Sequence, residues 1–264
     1  MKIAAFLKLR NESENGHLIR CLENCKKWSN EIFIYDDFST DDSKEIYLNY
    51  TDNSNIIFGK KCDFDNEILQ KQNLLNLVNL KYKPDWIGWI DGDAIYDYSL
   101  TNKIENIIEN LERDNYDSLM IHYFNLWRSS SYYRIDNAYN DLNVKCLWKN
   151  NNLSYTLQKG LHKLQHPNGL EKTCTSLSLS NIHYGFFSET NIARKYLTYK
   201  SFGQKGWALD RFFDESKLSL SKLSKEKYPI ENIPENYDDE LEPVPISYDN
   251  YIKYHNWEEY KKTI

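Results

Sequence analysis

Between Ile3 and Phe124 the chain alternates short apolar runs with amphipathic stretches, and this alternation restricts its fold more than any other feature. Ile3–Leu9, Glu31–Tyr35, Ile56–Phe58, Trp86–Ile90 and Ser118–Phe124 have strand length and strand-forming side chains. Between them, His17–Trp28, Lys44–Leu48, Asn66–Leu80 and Thr101–Arg113 carry apolar residues at helical spacing. The inward sets are Leu18, Cys21, Leu22 and Cys25, then Leu69, Leu74, Leu77 and Val78, then Ile104, Ile107, Ile108 and Leu111. Such alternation predicts an α/β fold: a mostly parallel sheet with helices on both faces.

Two of the strands end in carboxylates. Trp86-Ile87-Gly88-Trp89-Ile90 runs directly into Asp91-Gly92-Asp93, and Ile32-Phe33-Ile34-Tyr35 runs into Asp36-Asp37. Open α/β sheets bind ligands at the carboxyl ends of their strands, so both acidic tips fall where a ligand is expected. Carboxylates at i and i+2 on a bending backbone can converge on one hard divalent cation, Mg²⁺ or Mn²⁺, which shares itself with substrate phosphates. Glycine between them lets the backbone turn and come close to a neighbour. Taken alone, each acidic tip reads better as a solvated turn or capping loop. Taken together they repel one another unless something positive lies between them.

Composition excludes other classes. A net charge of -6 argues against a general nucleic-acid binder, which needs a basic face. No apolar run reaches the length of a membrane-spanning helix, and the first eight residues read as a strand rather than a signal peptide. The five cysteines, Cys21, Cys25, Cys62, Cys146 and Cys174, are scattered and odd in number, which fits free thiols in a reducing, cytoplasmic setting. The 21 tyrosines and 7 tryptophans are too many for one core, so some rings must line a surface or cleft.

The first strand, the Tyr35-Asp36-Asp37-Phe38-Ser39-Thr40-Asp41 loop and the Asp91-Gly92-Asp93 element together resemble family 2 glycosyltransferases of the GT-A fold. The likeness covers roughly residues 1 to 200. Two positions depart from the family pattern: Phe38 stands where Gly is usual, and Gln72-Asn73 stands where many relatives carry Arg-Asn. The resemblance implies a sugar-nucleotide donor, most often a UDP-sugar, and transfer with inversion. It implies that Leu9 and Asp36 or Asp37 contact the nucleotide, that Asp93 binds Mn²⁺ or Mg²⁺, and that Asp91 touches ribose or metal-bound water. His183, in Ile182-His183-Tyr184-Gly185, matches a position from which relatives bring a histidine to the metal. Lipopolysaccharide-type relatives carry His-Glu, with the Glu as base, where this chain has His162-Lys163. The base therefore stays open among Asp136, His162 and Glu171.

The alternating aromatic and polar run Trp127–Asp136 is a candidate acceptor wall or an edge hairpin. A helix is expected over Ser188–Tyr199 and another over Asp210–Leu223. A proline-rich, acidic stretch follows, and the aromatic residues of 248–260 are expected to dock on the main domain or on a second subunit. The expected division is a transferase domain over 1–205 and a C-terminal segment over 206–264. Two other readings compete. One is a non-catalytic sugar- or nucleotide-binding protein on the same scaffold. The other is a nucleotidyltransferase, which Lys8-Leu9-Arg10-Asn11-Glu12 serves poorly for want of a glycine-rich phosphate loop.

Overall fold

The computed structural model describes residues 1–13, 15–136, 139, 142–151, 153–160, 165–206, 209, 212, 218–224 and 226–228. Most of the expected C-terminal segment, 206–264, lies outside them. The chain separates into two compact units. One holds Met1–Tyr123 and Asn143–Asn181, and the other holds Phe124–Leu142 and Ile182–Ile264.

In the first unit, β1 (Ile3–Leu9), β2 (Glu31–Asp36), β3 (Ile56–Phe58) and β4 (Trp86–Trp89) form the parallel part of a sheet. β1 lies between β2 and β4, and β3 flanks β2. The sheet is then extended by antiparallel pairing: β8 (Asn143–Lys149) runs against β4, and β6 (Ser118–Trp127) runs against β8. It is therefore mixed, parallel through its first strands. β5 (Ala94–Tyr96), beyond the Asp91-Gly92-Asp93 turn, pairs with β9 (Thr173–Phe186).

The alternation of β1 shows why both faces are covered. Ile3, Ala5, Leu7 and Leu9 enter one core with α1 (Leu18–Trp28) and α4 (Tyr98–Arg113). Ala4 and Phe6 enter the other with α3 (Glu67–Lys81), Trp89 and Trp148. Each fully buried large apolar side chain contributes about 1.5–3 kcal/mol. Asp97 caps α4, accepting from Leu100 N–H at 3.1 Å and from both Ser180 N–H and Ser180 Oγ, which ties that helix to β9.

α3 corrects the sequence expectation. Leu69 is 43% exposed, and the buried set is Ile68, Gln70, Lys71, Leu74, Leu75 and Val78. The helix is rotated so that two polar side chains face the sheet, a phase that apolar periodicity alone cannot show. α2 (Ser43–Tyr47) is short.

In the second unit, β7 (Tyr132–Arg134) pairs antiparallel with the end of β6, Leu126 opposite Tyr133. β10 (Leu220–Lys222) pairs with β7, so the end of the helix expected over Asp210–Leu223 is a strand, and residues 210, 211 and 213–217 of that expectation lie outside the described residues. The Trp127–Asp136 run is thus a hairpin. Trp127 and Ser129 to Ser131 are buried, and Trp127 packs with Tyr139, Phe186, Ile192 and Phe212 rather than lining an open wall. α5 (Glu189–Ser201) is capped by Ser188.

Candidate donor site at the strand ends

The carboxyl ends of β2, β1 and β4 form one continuous rim, and Leu9 is the hinge between its two acidic parts. On one side, Leu9 is in register with Asp36, and its carbonyl accepts the Asp37 N–H at 2.9 Å. On the other, a Cβ added at Gly92 would collide with the Leu9 side chain and come within 2.7 Å of Glu12 Cγ. Glycine is required there because the protein's own β1 end packs onto the turn. Asp36, Asp37, Asp91 and Asp93 therefore share one edge of the first unit.

Each carboxylate is held differently. Asp36 is 1% exposed and accepts the Ser39 N–H at 2.9 Å. Burial and the adjacent Asp36 carboxylate hold the Tyr47 hydroxyl well above the usual tyrosine range. Asp37 is fully buried. Its Oδ1 accepts from Gln70 Nε2 at 2.7 Å and from Asp63 N–H at 3.0 Å, while its Oδ2 meets Lys8 Nζ at 3.4 Å. Asp91 accepts the Tyr123 hydroxyl at 2.9 Å, and the Cys21 thiol donates to its carbonyl at 3.3 Å. Asp93, in the turn before β5, is 2% exposed.

The loops above the rim are stitched together. Asn11 N–H donates to Ser39 Oγ at 3.0 Å, Thr40 N–H to Asn11 Oδ1 at 2.8 Å, and Ser13 N–H to Ser43 Oγ at 2.9 Å. Phe38, where the family pattern has Gly, adopts φ 61°, so the left-handed turn is kept at the steric cost a Cβ brings there. From α3, Lys71 is 1% exposed. It pairs with Glu67 at 2.7 Å and lies 4.6 Å over the Trp89 ring. Burial pushes its ammonium below the usual lysine range, and the Glu67 carboxylate opposes that.

Glu171 is exposed; its N–H and that of Lys172 donate to Asp117 Oδ2 at 2.6 and 3.1 Å. Asp117 O in turn accepts from Lys149 N–H, and Lys149 is in register with Trp86, the first residue of β4. Glu171 thus stands at the opposite end of β4 from Asp91, the five residues from Trp86 to Asp91 spanning about 16 Å at 3.3 Å per residue. Asp136, in the second unit, gives both oxygens to Arg134 Nε at 3.0 and 2.8 Å, and Oδ2 also accepts from Ser219 N–H. Arg134 is buried against the faces of Trp127 and Tyr139. Asp136 therefore anchors a hairpin. His162 lies outside the described residues.

His183, also in the second unit, is hydrogen-bonded through Nδ1 to Asn125 Oδ1 at 2.8 Å and packs edge-on against Phe186. Among the described residues no three His, Cys, Asp or Glu side chains are gathered as a metal cluster. The donor set on the rim still fits a hard cation, which takes one or two carboxylates from the protein and completes its shell with water and substrate phosphates. Sequence reasoning missed Lys8, Gln70, Cys21 and Tyr123 as residues that hold the acidic tips. The alternation of β1 does put Lys8 on the Phe6 face, directly above the core.

Comparison with known proteins bears on this rim. The family described as "Glycosyl transferase family 2" matches residues 8–168, more than half of the chain and every acidic residue of the rim. A search of curated proteins found no match. Among solved structures the chain is similar to S. aureus TarS, with 10% identity, a TM-score of 0.45 and coverage of 81% of this chain and 42% of that one. It is also similar to TarS 1-349 in complex with UDP-GlcNAc, with 10% identity, a TM-score of 0.45 and coverage of 81% and 71%. For TarS 1-349 in complex with UDP the values are 11%, 0.44, 81% and 71%. The chain thus spans less than half of full TarS. Among the described residues no helix is long and apolar enough to cross a membrane. The breadth of the family match establishes that the chain belongs to glycosyl transferase family 2.

Proposed function

We propose that the chain moves a sugar from a nucleoside-diphosphate donor, a UDP-sugar on the family resemblance, to an acceptor hydroxyl with inversion. One observation carries this reading: the acidic ends of β2 and β4 meet across Leu9 on a single rim. The β2 side would seat the nucleoside, with Leu9 and the Asp36–Asp37 loop as its floor. The β4 side would face the diphosphate, with Asp91 and Asp93 holding Mn²⁺ or Mg²⁺. A bound divalent ion would supply positive charge to the leaving diphosphate. The chain's own part is to fix that geometry. Tyr123 and Cys21 orient Asp91, and the contact of Gly92 with Leu9 sets the distance between the two halves.

The acceptor's proton needs a base within hydrogen-bond reach. The base is proposed among Asp136, His162 and Glu171, of which Glu171 stands at the opposite end of β4 from Asp91, and His183 stays a proposed metal ligand. The 1–205 stretch would be the catalytic part. The test is release of nucleoside diphosphate from UDP-sugars, with and without Mn²⁺, followed by NMR assignment of the product anomer. Metal-dependent turnover with inversion supports the reading. Retention corrects the stereochemistry. Nucleotide binding without any donor consumption favours a non-catalytic binding protein.

A further inference from the structure

At the amino ends of the strands in the first unit, the end of α1 and the first half of α4 line a cavity of about 930 Å³. That volume is within the range of ligand pockets. Its floor is apolar: Ile3, Trp28 and Ile104, all buried. The two banks are polar and differ in kind. The α1 bank presents donors, the exposed Lys26 and Lys27 and the amide of Asn30, whose Oδ1 already accepts the Ile3 N–H at 2.8 Å. The α4 bank presents the exposed carboxylates Glu105 and Glu109, with Lys103 beside them. Among the described residues neither glutamate has an ion-pair or hydrogen-bond partner. A second cavity, of about 550 Å³, shares Glu105 and Glu109, so the groove follows α4 from Thr101 to Glu112, about 16 Å at 1.5 Å per residue.

Two buried polar atoms along this groove have no hydrogen-bond partner among the described residues. One is Trp28 Nε1 on the floor of the larger cavity, in a side chain only 2% exposed. Trp28 presses the Cζ3–Cη2 edge of its ring on Gly88, where an added Cβ would lie 2.5 and 2.7 Å from those atoms. The N–H stands on the opposite edge of the indole, turned away from β4. The other is Asn150 Oδ1, on the wall of the smaller cavity. Buried donors and acceptors are costly to leave unmatched, and each calls for a partner.

We propose that this groove binds an oligosaccharide, at a site separate from the acidic rim, with the Trp28 N–H on its floor and Glu105 and Glu109 as its acceptor bank. A ligand lying between the banks must accept from one and donate to the other. A hydroxyl does both, with one O–H and two lone pairs, whereas a phosphate or carboxylate accepts and an ammonium donates. The three lysines and two glutamates of the larger cavity nearly offset one another, which suits an uncharged ligand. The apolar floor takes the C–H face of a sugar ring, and the length of the groove suits a chain of rings. Trp28 and Ile3 lie at the strand ends opposite the acids, so binding here does not depend on the donor-site reading.

The test is NMR titration of the full ¹⁵N-labelled chain with maltohexaose, cellohexaose and chitohexaose, followed through the indole N–H signals of its 7 tryptophans. The Trp28 signal is assigned by its loss in Trp28→Phe, and a melting temperature checks the folding of each variant. At least one hexasaccharide should move the Trp28 signal saturably. Glu105→Ala/Glu109→Ala, a change at two exposed positions, should weaken that binding about 10-fold or more, the scale of a hydrogen bond to a charged group. This arm also reads by calorimetry, so it stands even if Trp28→Phe fails to fold. UDP affinity in Mn²⁺ should be equal in the wild type and the double variant. A Trp28 signal that none of the three sugars moves overturns the proposal, as does sugar binding that the double variant leaves intact. Movement by spermine or triglycine alone overturns it too, and assigns the groove to a cation or a zwitterion. Loss of UDP binding in the folded double variant would join the groove to the donor rim and refute a separate site.

Discussion

The two ends of the parallel sheet in the first unit carry the same residue types and use them in opposite ways. At the amino ends of β1 and β4, Asp85 accepts the Lys2 N–H at 2.7 Å, Asp117 accepts from Glu171 and Lys172, and Glu112 pairs with Lys149 at 3.0 Å. Asp85, Glu112 and Glu171 are exposed, so water pays most of their solvation. The cavities at that end, of about 930 and 550 Å³, are lined by mixed charges. At the carboxyl ends, Asp36, Asp37, Asp93 and Lys71 are buried, and the largely covered Lys8 side chain meets Asp37. Burying a charge costs several kcal/mol unless it is paired, and clusters of buried charge are concentrated at functional sites. What separates the proposed binding rim from the capped edge is therefore desolvation, since both ends are rich in Asp and Glu.

Substitutions at the two ends should separate accordingly. Asp93→Asn should lower kcat by about 1,000-fold or more, as loss of a group that stabilises transition-state charge does. Its melting temperature should hold or rise, because a buried charge is removed. Steady-state kinetics beside a thermal melt checks both; a large fall in melting temperature would mark Asp93 as structural.

Gly92→Ala and Gly88→Ala compare the tip of β4 with its middle. At Gly92 the new methyl meets Leu9 and Glu12, so it should displace the hinge and cost about 10- to 100-fold in kcat. At Gly88 a Cβ would lie 2.7 Å from Trp28 Cη2, inside the core. That change should cost about 1–3 kcal/mol of stability and leave the kcat of folded enzyme unchanged. Chemical denaturation and kinetics on the same preparations tell the two apart.

Lys71→Met tests the desolvation argument through pH. Burial lowers the Lys71 pKa in the folded state, so between that value and the unfolded value the unfolded chain binds more protons. Stability should therefore rise with pH through that window. Below it the penalty of the buried charge is fully present. Lys71→Met should flatten this rise in melts recorded from neutral pH upward, and an unchanged slope would remove Lys71 from the account.

Smallest of all should be Glu171→Gln at the capped end. An exposed surface change there is worth about 0.5 kcal/mol or less, and kcat should stay within experimental error. A large loss would return Glu171 to the site.

Much of this contrast is legible in the chain before folding. Ile3–Leu9 and Ile56–Phe58 are strands with the bounds that periodicity predicts, and Asp36, Asp37, Asp91 and Asp93 follow from strands that stop in acids. The phase of α3 is not legible, because Gln70 and Lys71 are polar and pattern reading turns them to solvent. Their burial arises from partners distant in sequence, Asp37 and Trp89. The same limit hides Tyr123 and Cys21, which reach Asp91 only once β6 and α1 are docked. Nothing in the sequence marks Arg134 as the partner of Asp136, or Asp117 as the acceptor of the Glu171 N–H. The strand at Leu220–Lys222 follows from pairing with β7, which overrides the helical pattern of that stretch.

The most direct test of the central claim is UDP binding measured by calorimetry with and without Mn²⁺, on the wild type and on an Asp91→Asn/Asp93→Asn double variant. The account predicts binding that Mn²⁺ strengthens at least about 10-fold in the wild type, the scale of one charge-assisted contact. In the variant that metal dependence should vanish while a weaker, metal-independent nucleoside contact persists on the β2 side. Equal, metal-independent binding by both proteins would contradict a rim shared by nucleotide and cation.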